Sequence, residues 1–304
     1  PEGATFSGPL NSAYQITYHG GDGNDIAIKR VARAAFDFDG DGKSDISVFR
    51  PSNGVWYESL SSNGAFAPIP WGQNGDIIAP ADYDADNKTD VAVFRPASGL
   101  WYILRSSDQT LSSAQFGGAG DVPVPNDFDG DGRADLGVFR PSNGNWYQLR
   151  SLGNQFLNQQ FGQDGDTPLM GDFDGDGIGD IAVFRAGVWY AVRTSDGGIL
   201  ISQWGLGTDR PVPADYDGDG ATDLAVYRDG FWYILGSTGG FVSYAWGLAT
   251  DKPVAGDHDG DGRADIGVYR DGVWYVQRST AGFTSVFFGN ATDTPVPAAF
   301  NRLP

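Results

Sequence analysis

A chain of 304 residues with 39 acidic and 20 basic residues carries a formal charge of −19, which disfavours nucleic acid and anionic membrane surfaces as partners. It contains no cysteine, which excludes disulfides, zinc–thiolate sites and thiol nucleophiles. No apolar run is long enough to cross a bilayer as a helix.

Residues 1–30 stand outside the pattern that follows. Tyr14-Gln15-Ile16-Thr17-Tyr18 alternates as a strand, Gly20-Gly21-Asp22-Gly23 reads as a turn, and Asp25-Ile26-Ala27-Ile28-Lys29-Arg30 reads as a second strand. Thr5-Phe6 opens a third. Gly20 to Ile28 also fits the Ca²⁺-binding nonapeptide of β-rolls, but that motif works in stacked copies and occurs once here.

From Val31 the chain is periodic. An Asp-x-Asp-x-Asp-Gly-x-x-Asp stretch begins at Asp37, Asp82, Asp127, Asp172, Asp215 and Asp257, in steps of 45, 45, 45, 43 and 42 residues. Before it lies an extended segment such as Val122-Pro123-Val124-Pro125, whose prolines donate no ladder hydrogen bond and predict an edge strand. After it comes a short apolar strand ending at Arg50, Arg95, Arg140, Arg185, Arg228 or Arg270, then a tight turn. A third strand opens with Trp56-Tyr57, Trp101-Tyr102, Trp146-Tyr147, Trp189-Tyr190, Trp232-Tyr233 and Trp274-Tyr275. A fourth ends in an aromatic residue before Gly, at Trp71, Phe116, Phe161, Trp204, Trp246 and Phe288. No repeat has a helical period, and four short antiparallel strands in 42 to 45 residues match one β-propeller blade.

The aspartate stretch reads as a hard-cation site, with short oxygen ligands at positions 1, 3, 5 and 9 and a sharp turn at position 6. Without an ion, carboxylates within ~5 Å of one another repel by ~1 kcal/mol in water and ~3 at an effective dielectric of 20. Four acids in each of six loops account for 24 of the 39, and only Glu2 and Glu58 are glutamates. The acidity is thus mostly ligand chemistry, and Ca²⁺ (about six ions) is the expected cofactor.

The unit, with its aspartate loop, its aromatic-Gly strand end and its Gly-Asp-x-Pro-Val-Pro lead-in, resembles the FG-GAP/VCBS repeat over residues 31–301. That family includes the propeller of integrin α chains and many bacterial secreted and surface proteins. The resemblance implies Ca²⁺ in the loop between the first two strands of each blade, held by positions 1, 3, 5 and 9 and the backbone carbonyl of position 7. On this chain those are Asp37, Asp39, Asp41, Lys43 and Asp45; Asp82, Asp84, Asp86, Lys88 and Asp90; Asp127, Asp129, Asp131, Arg133 and Asp135; Asp172, Asp174, Asp176, Ile178 and Asp180; Asp215, Asp217, Asp219, Ala221 and Asp223; and Asp257, Asp259, Asp261, Arg263 and Asp265. In the second loop Ala85 and Asn87 replace both glycines, and a site is still expected there because Asn tolerates positive φ.

The expected fold is all-β, a seven-bladed propeller in one domain. Residues 1–30 supply three closing strands, residues 31–294 six Ca²⁺-loop blades, and residues 295–304 the first strand of a seventh blade completed by the N-terminal strands. The competing expectation is that those N-terminal strands pair with a neighbouring subunit along a filament. The Trp-Tyr pairs are expected to fill the core, the strand-ending arginines to pair with nearby aspartates or carbonyls, and Asp76, Asp121, Asp166, Asp209, Asp251 and Asp293 to form turns.

Catalysis is not expected. The histidines are His19 and His258, and every carboxylate pair is better read as ligand. The expected role is that of a non-enzymatic, Ca²⁺-stabilised propeller for adhesion, protein interaction or structural assembly. It is placed outside cells, secreted or on a bacterial surface, with other extracellular proteins or copies of itself as partners. The alternative is a multivalent lectin stacking glycans on exposed aromatics, and a polysaccharide-degrading enzyme comes third.

Overall fold

The computed structural model describes residues 5–7, 13–20, 25–31 and 34–300, with side chains over residues 34–298. Six four-stranded antiparallel sheets follow one another as blades. Blade 2 runs Ile77–Ile78, Val91–Arg95, Leu100–Leu104, Leu111–Gln115. Blade 3 is Val122–Pro123, Leu136–Arg140, Asn145–Leu149, Phe156–Gln160. Blade 4 is Thr167–Leu169, Ile181–Arg185, Val188–Val192, Ile199–Gln203. Blade 5 is Arg210–Pro211, Leu224–Arg228, Phe231–Gly236, Gly240–Ala245. Blade 6 is Lys252–Gly256, Asp265–Arg270, Val273–Arg278, Gly282–Phe287.

Burial falls from strand to strand along each blade. In blade 2 the second strand is buried at four successive residues, the third alternates between buried and half-buried, and the fourth alternates between half-buried and exposed. Blades packed face to face cover both sides of the inner strands, so the inner strands are continuously apolar, Val-Ala-Val-Phe in blade 2. The proline-bearing first strands lie at the free edge of each sheet, as expected.

The Trp of every Trp-Tyr pair is buried, five of the six at 0% exposure and Trp189 at 1%. Its indole N–H donates to the carbonyl of the aromatic residue that ends the fourth strand, 2.9 Å from Trp146 to Phe161. Burying the ring therefore leaves no unpaired donor. Each strand-ending arginine forks onto the aspartate before its own blade, as in Arg140 to Asp121 at 2.7 and 2.8 Å, and lies over the tyrosine of the pair, 4.6 Å from the Tyr147 ring centre. The aspartate carboxylate is wholly buried and also takes a backbone N–H of its turn, from Gly118. The turn reading of these six aspartates was thus half of their role.

The propeller has six blades, and the expected seventh does not form. Thr294–Pro295 pairs with Ile46–Arg50 and becomes the innermost strand of blade 1, followed by Val55–Ser59 and Phe66–Pro70. Arg50 takes Asp293 as its fork partner, and Ser44 N–H donates to the Asp257 carbonyl at 2.6 Å. The reason lies in the offset of the repeats. Loop 1 has no Pro-Val-Pro lead-in directly before it, and the one at Pro295-Val296-Pro297 serves blade 1 instead. The open inner edge of Ile46–Arg50 and the orphan strand satisfy each other, which closes the ring at six.

Thr5–Ser7, Ala13–Gly20 and Asp25–Val31 form a separate three-stranded sheet, and among the described residues none of them pairs with a blade. They close no ring, because the inner edge of blade 1 is already taken by Thr294–Pro295. The last four residues, 301–304, lie outside the described residues.

Candidate metal centre

Each loop is folded around its first aspartate. In loop 3 the Asp127 carboxylate accepts the backbone N–H of Gly130 at 2.6 Å through one oxygen and that of Gly132 at 2.8 Å through the other. Curling the chain onto one carboxylate in this way puts positions 4 and 6 both at positive φ, +78° at Gly130 and +86° at Gly132. The sequence pattern pointed to position 6 alone. In loop 2, Ala85 at +64° and Asn87 at +69° adopt the same turn despite their Cβ atoms, and Asp82 accepts both N–H groups.

Position 9 is the buried anchor. Asp135 accepts Phe128 N–H at 2.9 Å and Ser151 N–H at 2.6 Å, the second from the turn between strands three and four. Burial pushes its carboxyl up to about 7. The same cause lifts Asp45, Asp90, Asp180, Asp223 and Asp265 to about 6. The first aspartates Asp37, Asp127, Asp215 and Asp257 are raised as well, again by burial first.

Positions 3 and 5 reach across to a hydroxyl pair that the sequence reading missed. Ser61 Oγ donates to Asp41 at 2.8 Å and Ser62 Oγ to Asp39 at 2.6 Å. Ser106 and Ser107 do the same for Asp86 and Asp84, and Ser279 and Thr280 for Asp261 and Asp259. The signal was legible, since a Ser or Thr stands 16 residues after position 9 in the first three blades and 14 after it in the others. Blade 3 departs from this. Leu152 stands where the second hydroxyl would be, and only its backbone N–H reaches Asp129, at 3.1 Å.

Carboxylate oxygens of positions 1, 3 and 9 lie within 4.8 Å of one another in loops 1, 3, 4 and 5, and those of Asp82, Asp84 and Asp86 do so in loop 2. Position 5 stays outside the tight group in loops 1, 3, 4 and 5 and is held by the turn instead. Of the position-7 residues, Lys88 lies over Gly40, Ile178 over Gly130, Ala221 over Gly175, Arg263 over Gly218 and Lys43 over Gly260. Each side chain is thus spent on the joint with the preceding blade, which leaves its carbonyl as the group available to a cation.

The donor set suits a hard divalent cation, being all oxygen and mostly carboxylate. Two buried oxygens, Asp217 Oδ1 and Asp259 Oδ1, have no hydrogen-bond partner among the described residues, and such atoms carry a desolvation cost until something pairs with them. The residues present therefore fit the ion that the loops imply.

The six loops are also joined to one another. The N–H of position 8 donates to the carbonyl of position 1 in the preceding loop, from Thr89 to Asp37, Ala134 to Asp82, Gly179 to Asp127, Thr222 to Asp172, Ala264 to Asp215 and Ser44 to Asp257, all at 2.6 to 2.7 Å. This ring of bonds surrounds a central cavity of 460 Å³. His258 lies at the seam with its Nδ1 2.9 Å from the Ser44 carbonyl oxygen, and burial pushes its pKa down to about 4. The side chain of His19 lies outside the described residues.

The FG-GAP-like repeat family matches residues 37–93. None of the curated proteins compared is similar to the chain. Among solved structures, an Agrocybe aegerita lectin specific for non-reducing terminal N-acetylglucosamine is 19% identical, with 84% of this chain and 77% of that one covered and a TM-score of 0.55. A streptogramin B lyase is 12% identical over 88% and 91%, with a TM-score of 0.52. The N-terminal domain of BBS1, in complex with ARL6, is 17% identical over 85% and 82%, with a TM-score of 0.52. At these identities the likeness is one of fold.

Proposed function

We propose that this chain, an FG-GAP repeat β-propeller, is a non-enzymatic extracellular scaffold stapled by Ca²⁺, which presents its surface to other proteins or to copies of itself in adhesion or assembly. The observation that carries the reading is the equivalence of the six loops. The same aspartate spacing and the same loop-to-loop bond recur around the ring, so the chemistry is spread evenly, as a scaffold needs, and not gathered into one cleft. The ion would be held by positions 1, 3, 5 and 9 and the position-7 carbonyl, and would supply the positive charge that these buried carboxylates lack. The chain's own part is to orient them, through the N–H groups at positions 4 and 6 and the hydroxyl pair of the outer turn. Millimolar Ca²⁺ outside cells, and a chain without cysteine in which metal takes the stapling role, support the extracellular placement. Among the described residues no helix is long and apolar enough to cross a membrane.

The lectin alternative loses the Trp half of the platforms first considered for it, because every Trp of the Trp-Tyr pairs is buried, while the tyrosines are half-buried with an arginine over each ring. Calcium titration of chelated protein tests the scaffold reading. About six ions per chain are expected, Asp131→Ala should remove about one of them, and EDTA should lower the melting temperature because each ion binds the folded loop only. An unchanged melting temperature in EDTA at low ionic strength would refute the staple.

A further inference from the structure

The six loops share one plan, but the turn between strands three and four does not hold their third position equally. In blades 5 and 6 that turn is tight. Gly236 pairs with Gly240 and Arg278 with Gly282, so three residues separate the strands. In the other four blades six residues separate them, as between Ser59 and Phe66 or Val192 and Ile199.

The tight turn lays three donors on one carboxylate oxygen. Asp217 Oδ2 accepts the Thr238 N–H at 3.0 Å, the Thr238 hydroxyl at 3.1 Å and the Gly239 N–H at 2.6 Å. Asp259 Oδ2 accepts the Thr280 N–H at 3.1 Å, the Thr280 hydroxyl at 2.9 Å and the Ala281 N–H at 2.8 Å. The longer turns supply fewer. Ser62 gives Asp39, and Ser195 gives Asp174, one hydroxyl and one N–H, the latter at 3.3 Å. From their turns Asp84 receives the Ser107 hydroxyl alone and Asp129 the Leu152 N–H alone, among the described residues.

The other oxygen of position 3 changes partner in step. In loops 1 to 4 it accepts the N–H of position 5 at 3.3 Å. In loops 5 and 6 that N–H donates to the first aspartate, at 3.1 and 3.2 Å. Asp217 Oδ1 and Asp259 Oδ1 are then the buried oxygens without a partner, and in loop 5 the oxygens of Asp215, Asp217 and Asp223 converge within 4.8 Å. A carboxylate clamped through its outer oxygen presents the inner one in one direction, and donors behind a ligand change metal affinity about 10–100-fold. An unpaired buried oxygen also carries a desolvation cost, which a cation pairing with it relieves.

We infer that the six loops form two affinity classes, that loops 5 and 6 take up Ca²⁺ first, and that Thr238 and Thr280 are the positioning residues that set them apart. The inference rests on the Ca²⁺-staple reading and adds an order of filling to it. The two loops are neighbours, and loop 6 is bonded across the seam by the Ser44 N–H on the Asp257 carbonyl. At limiting Ca²⁺ the ring is therefore stapled first beside the joint that closes it.

The test is calorimetric titration of the chelated full chain with Ca²⁺ in the presence of a competing chelator. Two ions should bind at least about tenfold more tightly than the others. Thr238→Val with Thr280→Val, at two exposed positions, should weaken those two about tenfold and leave the melting temperature of the chelated protein unchanged. Thr238→Ser with Thr280→Ser, which keeps the hydroxyls, should preserve the tight class. Asp84→Ala should remove one weak ion and neither tight one. A single affinity for all the ions would overturn the inference, as would a tight class that survives the valine changes or loses an ion in Asp84→Ala. A lower melting temperature of the chelated valine variant would overturn the positioning role in favour of a structural one. In each of these outcomes the staple reading stands, whereas a chain that takes up no Ca²⁺ would sink that reading and this inference with it.

Discussion

Blade 3 and blade 1 make the same contacts across very different lengths of chain. In blade 3 the Arg140–Asp121 fork spans 19 residues, and in blade 1 the Arg50–Asp293 fork spans 243. Loop-closure entropy for that difference costs about 2 kcal/mol more at the seam. Blade 1 also carries a polar fault that blade 3 does not share. Ser47 and Glu58 face each other across its second and third strands, where blade 2 has Ala92 and Ile103. Ser47 Oγ and Glu58 Oε1 are buried without partners. Blade 3 puts Gly137 and Gln148 there, and the Gln148 amide oxygen accepts from Arg150 at 3.4 Å. The difference teaches that near-identical units need not be equally stable, and that the blade closing the ring carries a buried polar pair that blade 3 avoids.

The largest expected effect comes from breaking the seam. Removing residues 292–304 deletes the Thr294–Pro295 strand and the buried partner of Arg50, so the ring should lose its single cooperative thermal transition. A sharp transition near the wild-type temperature would show that blade 1 does not need its innermost strand.

Next is the buried acid. Burial pushes Glu58 up to about 8, with Asp45 adding a smaller push in the same direction. An acid whose pKa is raised on folding contributes fully below its unfolded value, 4.5 here, and loses that contribution as the pH climbs through the folded value. The strain of Glu58 should therefore be on the order of 3 kcal/mol at pH 7 and nearly absent at pH 4. Glu58→Gln should raise the melting temperature at pH 8 and change it little at pH 4. Equal shifts at both pH values would place the fault elsewhere.

A smaller effect separates blades 2 and 3. Gly132→Val forces a β-branched residue to positive φ and should cost about 1–3 kcal/mol. Asn87→Val should cost less, because Asn87 already carries a Cβ at +69°. Gly42→Val imposes the same strain at the seam as Gly132→Val does in blade 3, and it should lower the melting temperature at least as far. Equal losses at positions 87 and 132, by thermal melting, would contradict the turn geometry.

The smallest effect is expected at the other terminus. Removing residues 1–31 takes away a sheet that, among the described residues, pairs with no blade and should leave the melting temperature of the ring unchanged. A large drop would mean that the N-terminal strands brace the propeller after all.

The blade and the loop could be read before any coordinates, because both are local. The aspartate spacing, the apolar strand ending in Arg, the Trp-Tyr opening and the aromatic-Gly end each lie within one repeat, and local contacts leave a period in the sequence. Position 6 of the loop was legible for the same reason. The hydroxyl pair was equally local and went unread only because Ser and Thr are common in turns. The number of blades, the partner of Arg50 and the inner strand of blade 1 were decided by tertiary structure. A period of 42 to 45 residues fixes the unit but not how many units close a circle, and closure depends on which two unpaired edges, 243 residues apart at Arg50 and Asp293, find each other in space.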